Sequence, residues 1–430
     1  MSDKKYPLAA EQRGYYHHWK NLGKSTMIPF RVEYEDGTDE NRLAESLVKV
    51  INAHKFLKAN VEEGDSPHWI HNDDATVGVK IFEVSSEEFE KIQDEFFQRP
   101  ELNPDLAKDP LYHFSVFRVD GTKVYVLGGI NHIYYDGFTR NTIIAEIVRA
   151  YNGEELTPDG EIGFDEGNYE AAAQNSEKFE KSVLFYEELF KHYKNEELDL
   201  KNAPDAVLAP GTGFARLTIV SEDVNGFCAK TKISQNVLFL AGLCRAANAL
   251  SGEEYLFFGS NTAGRAGRNI DREAGLFVRN FPLVLKIDAS LEEIDFLKSI
   301  KEQYYNILKN HTEYTSTIAQ ERLGFKPRLN YLFQAGIGGA EAAINKIYPH
   351  PVCKETSATM FAKVLLPSFG NVFDIGAQVA EMEVPQFDNQ KRYIFIFSYN
   401  KELYAEETMK KFKDMIGDFI KGVISREDLA

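Results

Sequence analysis

Cysteine is scarce in this chain. Its three residues, Cys228, Cys244 and Cys353, stand far apart in 430 and lack the spacing of metal ligands. Cys244 falls in an apolar helical stretch, where a small buried side chain is its expected role. No run approaches the roughly 18 consecutive apolar residues of a membrane span, and Met1 to Tyr6 opens with Asp and Lys in place of a signal peptide. A soluble, cytoplasmic protein is expected. Basic residues are outnumbered, 49 Lys and Arg against 66 Asp and Glu, and the net charge of −17 argues against nucleic acid as the main partner. Internal repeats and low-complexity tracts are lacking too. The pairs His17-His18 and His68-Trp69-Ile70-His71 have no third ligand and no helix that sets them on one face, so packing or surface roles are expected and no metal. Gly336-Ile337-Gly338-Gly339 lacks the third glycine of a nucleotide loop and reads as a turn after a strand.

Apolar residues are plentiful. They make up 43% of the chain, with 31 Phe and 21 Tyr, and 430 residues exceed what one hydrophobic core usually holds, so two lobes are expected. Leu43, Leu47, Ile51 and Leu57 recur at helical spacing and predict a helix over Asn41 to Lys58. Ser86 to Phe97 reads as a second helix, capped by Ser85 or Ser86 with acidic residues in its first turn. Leu111 to Val119 and Lys123 to Ile130 read as strands around the Asp120-Gly121-Thr122 turn, and Thr142 to Tyr151 as a helix. The loose, acidic and glycine-bearing segment Thr157 to Asn168 precedes a bridging helix over Tyr169 to Tyr193. The lobe boundary is expected there, giving 1–168 and 169–430. Beyond it come strand Phe214 to Val220, helix Gln235 to Leu250, strands Tyr255 to Ser260 and Val278 to Ile287, helix Leu291 to Leu308, and strand Leu329 to Gln334.

The most informative stretch is Asn131-His132-Ile133-Tyr134-Tyr135-Asp136-Gly137, directly after the strand-like run Val124 to Ile130. A His at a strand end, facing a cleft, can act as a base: an unperturbed pKa of about 6.5 leaves much of the imidazole neutral near physiological pH, free to take a proton from an amine, hydroxyl or thiol. Asp136 brings a charge that needs a partner. Gly137 lets the chain turn where a side chain would crowd the reacting groups.

This motif resembles that of the condensation domains of nonribosomal peptide synthetases, a branch of the chloramphenicol acetyltransferase-like HxxxD acyltransferases, whose signature is two His, three variable residues, then Asp and Gly. Tyr6-Pro7-Leu8-Ala9-Ala10-Glu11-Gln12-Arg13 resembles the family's opening segment, and Ile51 to Ala59 its second. Gln235 to Leu250, Tyr255 to Arg265, Gly275-Leu276-Phe277-Val278 and Tyr393 to Val423 are similar to later segments, in the family's order. The segment around His311 resembles another not known for chemistry, and a structural role is expected there. The resemblance spans nearly the whole chain. It implies an α/β fold of two chloramphenicol acetyltransferase-like lobes in a V, with the motif loop in a central tunnel.

The implied chemistry follows the family. His132 would be the catalytic residue, taking the amine proton or orienting the amine as it attacks a thioester carbonyl. Asp136 would pair with Arg265 and fix the loop. An oxyanion contact is needed, and the backbone N–H of Gly137 is one donor on offer. Asn131 replaces the motif's first His and can still hydrogen-bond the loop. Phe138, Thr139 and Arg279 are candidates for lining the tunnel. Arg279 stands where the family usually carries Asn, leaving its role open: binding a carboxylate or phosphate, closing a substrate pocket, or facing solvent. Both substrates would ride on the 4'-phosphopantetheine arms of donor and acceptor carrier proteins, with no cofactor bound by the chain itself. A chain starting at Met1 and stopping just after the final helix is expected to be an N-terminal domain of a longer protein, beside further synthetase domains. Docking an acidic carrier would need a locally basic or apolar patch, for which Arg265, Arg268 and Arg279 are candidates. Two other functions fit the same motif: a freestanding acyltransferase using coenzyme A or carrier thioesters, and a non-catalytic relative that only docks carriers. An epimerase is disfavoured, because Asn261 to Arg268 lacks the Glu-Gly-His-Gly run of that branch.

Overall fold

The computed structural model describes residues 5–23, 26–34, 36–72, 75, 77–96, 104–270, 273–334, 353–355, 373–384, 387 and 390–426. Gly336 to Gly339 lie outside them. The chain divides into two compact units. The first comprises Met1–Gln174, Ala263–Arg279 and Ala342–Leu365; the second comprises Asn175–Thr262, Asn280–Glu341 and Leu366–Ala430.

In the first unit the chain runs β1 (Tyr6–Pro7), α1 (Ala10–Leu22), β2 (Met27–Tyr34), α2 (Glu40–Ala53), β3 (Asn60–Glu62), β4 (His68–Ile70), β5 (Lys80–Val84), α3 (Ser86–Phe96), β6 (Tyr112–Val119), β7 (Lys123–Asn131), α4 (Gly137–Tyr151) and α5 (Ile162–Gln174). The main sheet orders Cys353–Glu355, β2, β7, β6, β5, antiparallel except for the parallel β5–β6 pair. Asp120 and Gly121, at φ 49° and 69°, make the turn between β6 and β7 that the Asp-Gly pair predicts. Alternation along β7 serves two cores: Val124, Val126 and Ile130 face one, and Tyr125 and Leu127 face another with Phe89 and Phe96 of α3. This is why the strand reads as a continuous apolar run. Ser85 caps α3 in a capping box, its Oγ accepting from Glu88 N at 3.2 Å while Glu88 Oε2 accepts from Ser85 N at 3.0 Å.

The second unit contains α6 (Glu177–Phe190), β8 (Thr212–Val220), α7 (Ser221–Thr231), α8 (Gln235–Ser251), β9 (Tyr255–Thr262), β10 (Arg279–Lys286), α9 (Glu293–Asn310), α10 (Ser316–Leu323), β11 (Leu329–Gln334), β12 (Ile375–Val384), β13 (Gln390–Asn400) and α11 (Glu406–Ile424). Its six-stranded sheet runs β10-β9-β11-β12-β13-β8. Helix α8 is buried almost all round, with α9 and α11 packed against it. Cys244 lies fully buried in this helix, and burial pushes its thiol and that of Cys228 up, the latter to about 12. His311 is buried as well, Nδ1 at 2.9 Å from Ser182 Oγ and its ring stacked on Phe185 at 3.9 Å.

Three expectations about elements change. Helix α2 stops at Ala53, because His54 takes φ −100° and ψ 80°; a 3-10 turn, Lys55–Lys58, then carries Phe56 and Leu57 into the core. The segment Thr157 to Asn168 is not loose throughout, since α5 begins at Ile162. Its glycines mark close packing rather than freedom: a Cβ on Gly167 would sit 2.0 Å from Pro7 O. The bridging helix over 169–193 is two helices, α5 and α6, with Ser176 capping the second by accepting from Phe179 N at 3.2 Å. The division at 168 and 169 therefore cuts α5, and residues 263–279, expected in the C-terminal lobe, belong to the first unit. Buried side chains of that segment, Arg265 foremost, hold it there.

Candidate active site

Strand β7 delivers the motif. Its last residue, Asn131, donates its main-chain N–H to Leu111 O at 2.8 Å, and its side-chain Oδ1 accepts from Ile133 N at 3.0 Å. Asn thus closes the local turn with a short acceptor, while its Nδ2 is buried without a hydrogen-bond partner among the described residues. Tyr134 anchors the loop from below. Its ring stacks on Trp69 at 5.4 Å and meets Phe56 edge-on at 5.3 Å, and its hydroxyl donates to Ala59 O.

His132 is half-buried. Its N–H donates to Thr26 O at 2.7 Å, and its ring stacks on Tyr15 of α1 with centroids 4.6 Å apart and planes 23° from parallel. Nδ1 is buried without a hydrogen-bond partner among the described residues. Burial lowers the ring's pKa below its ordinary value, outweighing the main chain of His132 and Tyr135 and the Asp136 carboxylate, which favour the charged form. Near neutral pH the ring is therefore an uncharged imidazole, and with Nδ1 enclosed Nε2 is the nitrogen a substrate can meet.

Asp136 points into the fold. It caps α4, with Oδ1 accepting from Thr139 N at 2.8 Å and Oδ2 from Phe277 N at 3.1 Å. Arg265 Nη2 lies 3.3 Å from Asp136 Oδ1 and donates to Thr139 Oγ1 at 2.8 Å, while Nη1 donates to Ile270 O at 2.6 Å and Glu273 O at 3.1 Å. The guanidinium is held between the rings of Phe138, at 4.4 Å, and Phe277, at 4.5 Å. Gly264 admits this geometry: at φ +65°, its Cβ would sit 1.7 Å from Phe277 O. Both charges are buried, so Asp136→Ala or Arg265→Ala strands the other. Each is expected to destabilise the first unit by about 3–5 kcal/mol, and a full-strength denaturation midpoint for Arg265→Ala would refute that role.

Other expected positions read differently. Gly137 opens α4 exposed, at an ordinary negative φ, and an added Cβ would meet nothing within 4 Å. Crowding within the protein therefore does not require glycine there. Thr139 is fully buried and bonded to Gly275 O at 2.8 Å, and Phe138 lies under the Arg265 guanidinium. Arg279 does not face solvent: it is 3% exposed and paired with Glu166, which also receives Arg268 Nη1 at 3.0 Å. The basic patch expected from Arg265, Arg268 and Arg279 is thus consumed internally, because each guanidinium has a carboxylate within the first unit.

One cluster escaped the sequence reading. His54 is fully buried, with Nδ1 2.6 Å from Asp159 Oδ2 and Nε2 2.5 Å from Glu146 Oε2. Asp159 Oδ2 also accepts from Ala274 N at 3.2 Å. A polar ring between Ala53 and Phe56, inside an apolar helical stretch, was the available signal; its partners are 92 and 105 residues away. Among the described residues, no group of three or more His, Cys, Asp or Glu is arranged to hold a metal ion, and no helix is long and apolar enough to cross a membrane.

Residues 2–429 match the family described as Condensation domain, and the chain belongs to that family. It is 23% identical over 432 residues to tyrocidine synthase 3 of Brevibacillus parabrevis, covering 94% of this chain and 6% of that protein's length. Among solved structures it resembles the condensation domain of Monacolin K polyketide synthase, with a TM-score of 0.77, 14% identity and coverage of 98% of both chains. It also resembles the epimerization domain from the third module of tyrocidine synthetase B, with a TM-score of 0.73, 15% identity and coverage of 98% and 97%. Mixed α/β units of this kind are the condensation-domain fold.

Proposed function

We propose that this chain forms an amide bond between a donor acyl or aminoacyl thioester and an acceptor aminoacyl thioester, both carried on the 4'-phosphopantetheine arms of carrier proteins, in nonribosomal peptide synthesis. The observation that carries the reading is the half-buried His132, its pKa lowered by burial, on a loop whose Asp136 is turned away and locked to Arg265. The acceptor amine forms a bond to the donor's carbonyl carbon as the carbonyl π pair moves onto oxygen, and His132 Nε2 takes a proton from the resulting ammonium. On collapse the C–S bond breaks, its electron pair leaves with sulfur, and the imidazolium returns the proton to that sulfur, giving amide and free thiol. Holding both thioesters at one site removes much of the entropic barrier.

The test is intact-mass analysis of loaded carrier proteins incubated with the full chain, beside parallel reactions with acyl-coenzyme A. Amide product on the acceptor carrier is expected. Turnover with coenzyme A thioesters alone would move the assignment to a freestanding acyltransferase, and no turnover with any donor to a relative that only docks carriers. Proton exchange at the α-carbon of a loaded aminoacyl group, without amide formation, would favour epimerization.

A further inference from the structure

The amide-forming reading needs a donor for the negative charge that develops on the thioester oxygen, and the opening segment of the chain supplies one. We infer that the Tyr15 hydroxyl donates this hydrogen bond, working beside His132 as a second catalytic residue. The proposal rests on the amide-forming reading and extends it.

Geometry places Tyr15 at the reacting centre. Its ring lies stacked on the imidazole at 4.6 Å, so the rim of the phenol runs alongside the rim of the group that handles the amine proton. The hydroxyl is not spent on the fold. Tyr134, Tyr186, Tyr331 and Tyr404 each donate theirs to a main-chain carbonyl, whereas the Tyr15 hydroxyl makes no hydrogen bond among the described residues. The residue is only half-buried, so something outside the protein can meet it.

The helix that carries it is fixed at its start. Gln12 Oε1 accepts from Ala9 N at 2.8 Å and from Trp69 Nε1 at 3.1 Å, and Glu170 Oε2 accepts from Ala10 N at 2.6 Å. Tyr15 follows within about one turn of those anchors, and a donor held before the reaction begins is what oxyanion stabilisation requires. Burial, with the carboxylates of Glu11 and Asp136, raises the phenol's pKa, so the oxygen keeps its proton throughout the physiological range. In the tetrahedral intermediate this O–H would donate to the oxygen that received the π pair, then release it as the carbonyl reforms, with no net proton transfer.

Tyr15→Phe keeps the stacked ring and removes the donor. With loaded carriers, Tyr15→Phe is expected to lose about 100-fold in kcat, as single oxyanion donors do, with KM, melting temperature and the NMR-titrated pKa of His132 unchanged. Turnover within about threefold of wild type would overturn the assignment and leave the Gly137 N–H as the donor to test. A shifted His132 pKa or a destabilised Tyr15→Phe protein would also overturn it, since the loss would then come from a displaced ring or a disturbed fold. Inactive wild-type protein would sink the amide-forming reading and this inference together, whereas active wild type with active Tyr15→Phe sinks the inference alone.

Discussion

His132→Ala is expected to cut amide formation by about 10²- to 10⁴-fold in kcat, the range of a positioned general base, with a melting temperature within about 4 °C of wild type. The two halves of that expectation have separate causes. The loop's main-chain bonds, His132 N to Thr26 O and Tyr135 N to His132 O, persist with any side chain. The ring's Nδ1 has no hydrogen-bond partner among the described residues, and its stacking on Tyr15 is worth about 1 kcal/mol. Asp136, by contrast, holds a helix cap, the Phe277 main chain and a guanidinium. With the His132 pKa depressed, the acid limb of the wild-type rate profile should fall below the usual histidine range, as protonation removes the base. Intact-mass assays across pH, with a melting curve on each variant, check both halves. A loss smaller than tenfold would show that the imidazole is not the base.

Sequence legibility followed distance along the chain. The hairpin of β6 and β7 was readable because its turn and its alternating faces are local, and the motif loop inherits its position from that hairpin. The Asp136–Arg265 pair spans 129 residues and carries no local signal; it was reached only through the resemblance to a family. Arg279 misled because a lone arginine in sequence looks available, while its partner Glu166 sits in a glycine-bearing stretch that read as loose. The glycines themselves pointed the wrong way. Gly167 permits contact with Pro7, so tight packing and flexibility share one composition until the fold separates them. Tyr15 was passed over for a related reason: aromatic residues are common in this chain, and nothing in the order of residues marks which ring will lie on an imidazole.

The second large effect belongs to His54. Burial opposes its charge, but hydrogen bonds and attraction from Asp159 and Glu146 outweigh burial and lift its pKa to about 10 from an ordinary 6.5. Glu273, the other acid near the cluster, has its own pKa raised, chiefly by burial and then by Asp159. Because the folded value lies above the unfolded one, the stabilisation is complete below pH 6.5, shrinks as pH rises, and is gone once pH passes about 10. A shift of that size corresponds to roughly 4–5 kcal/mol, declining by about 1.4 kcal/mol per pH unit across the window. The readout is selective, since the chain's two tryptophans, Trp19 and Trp69, both lie in the first unit. In urea titrations followed by tryptophan fluorescence, wild-type protein should lose stability steadily between pH 6.5 and 10. His54→Leu should be weaker by about 3–5 kcal/mol at pH 6.5, because it leaves two buried carboxylates without their cation, and should lack that slope. Parallel pH profiles for the two proteins would mean that the ring is uncharged in the fold.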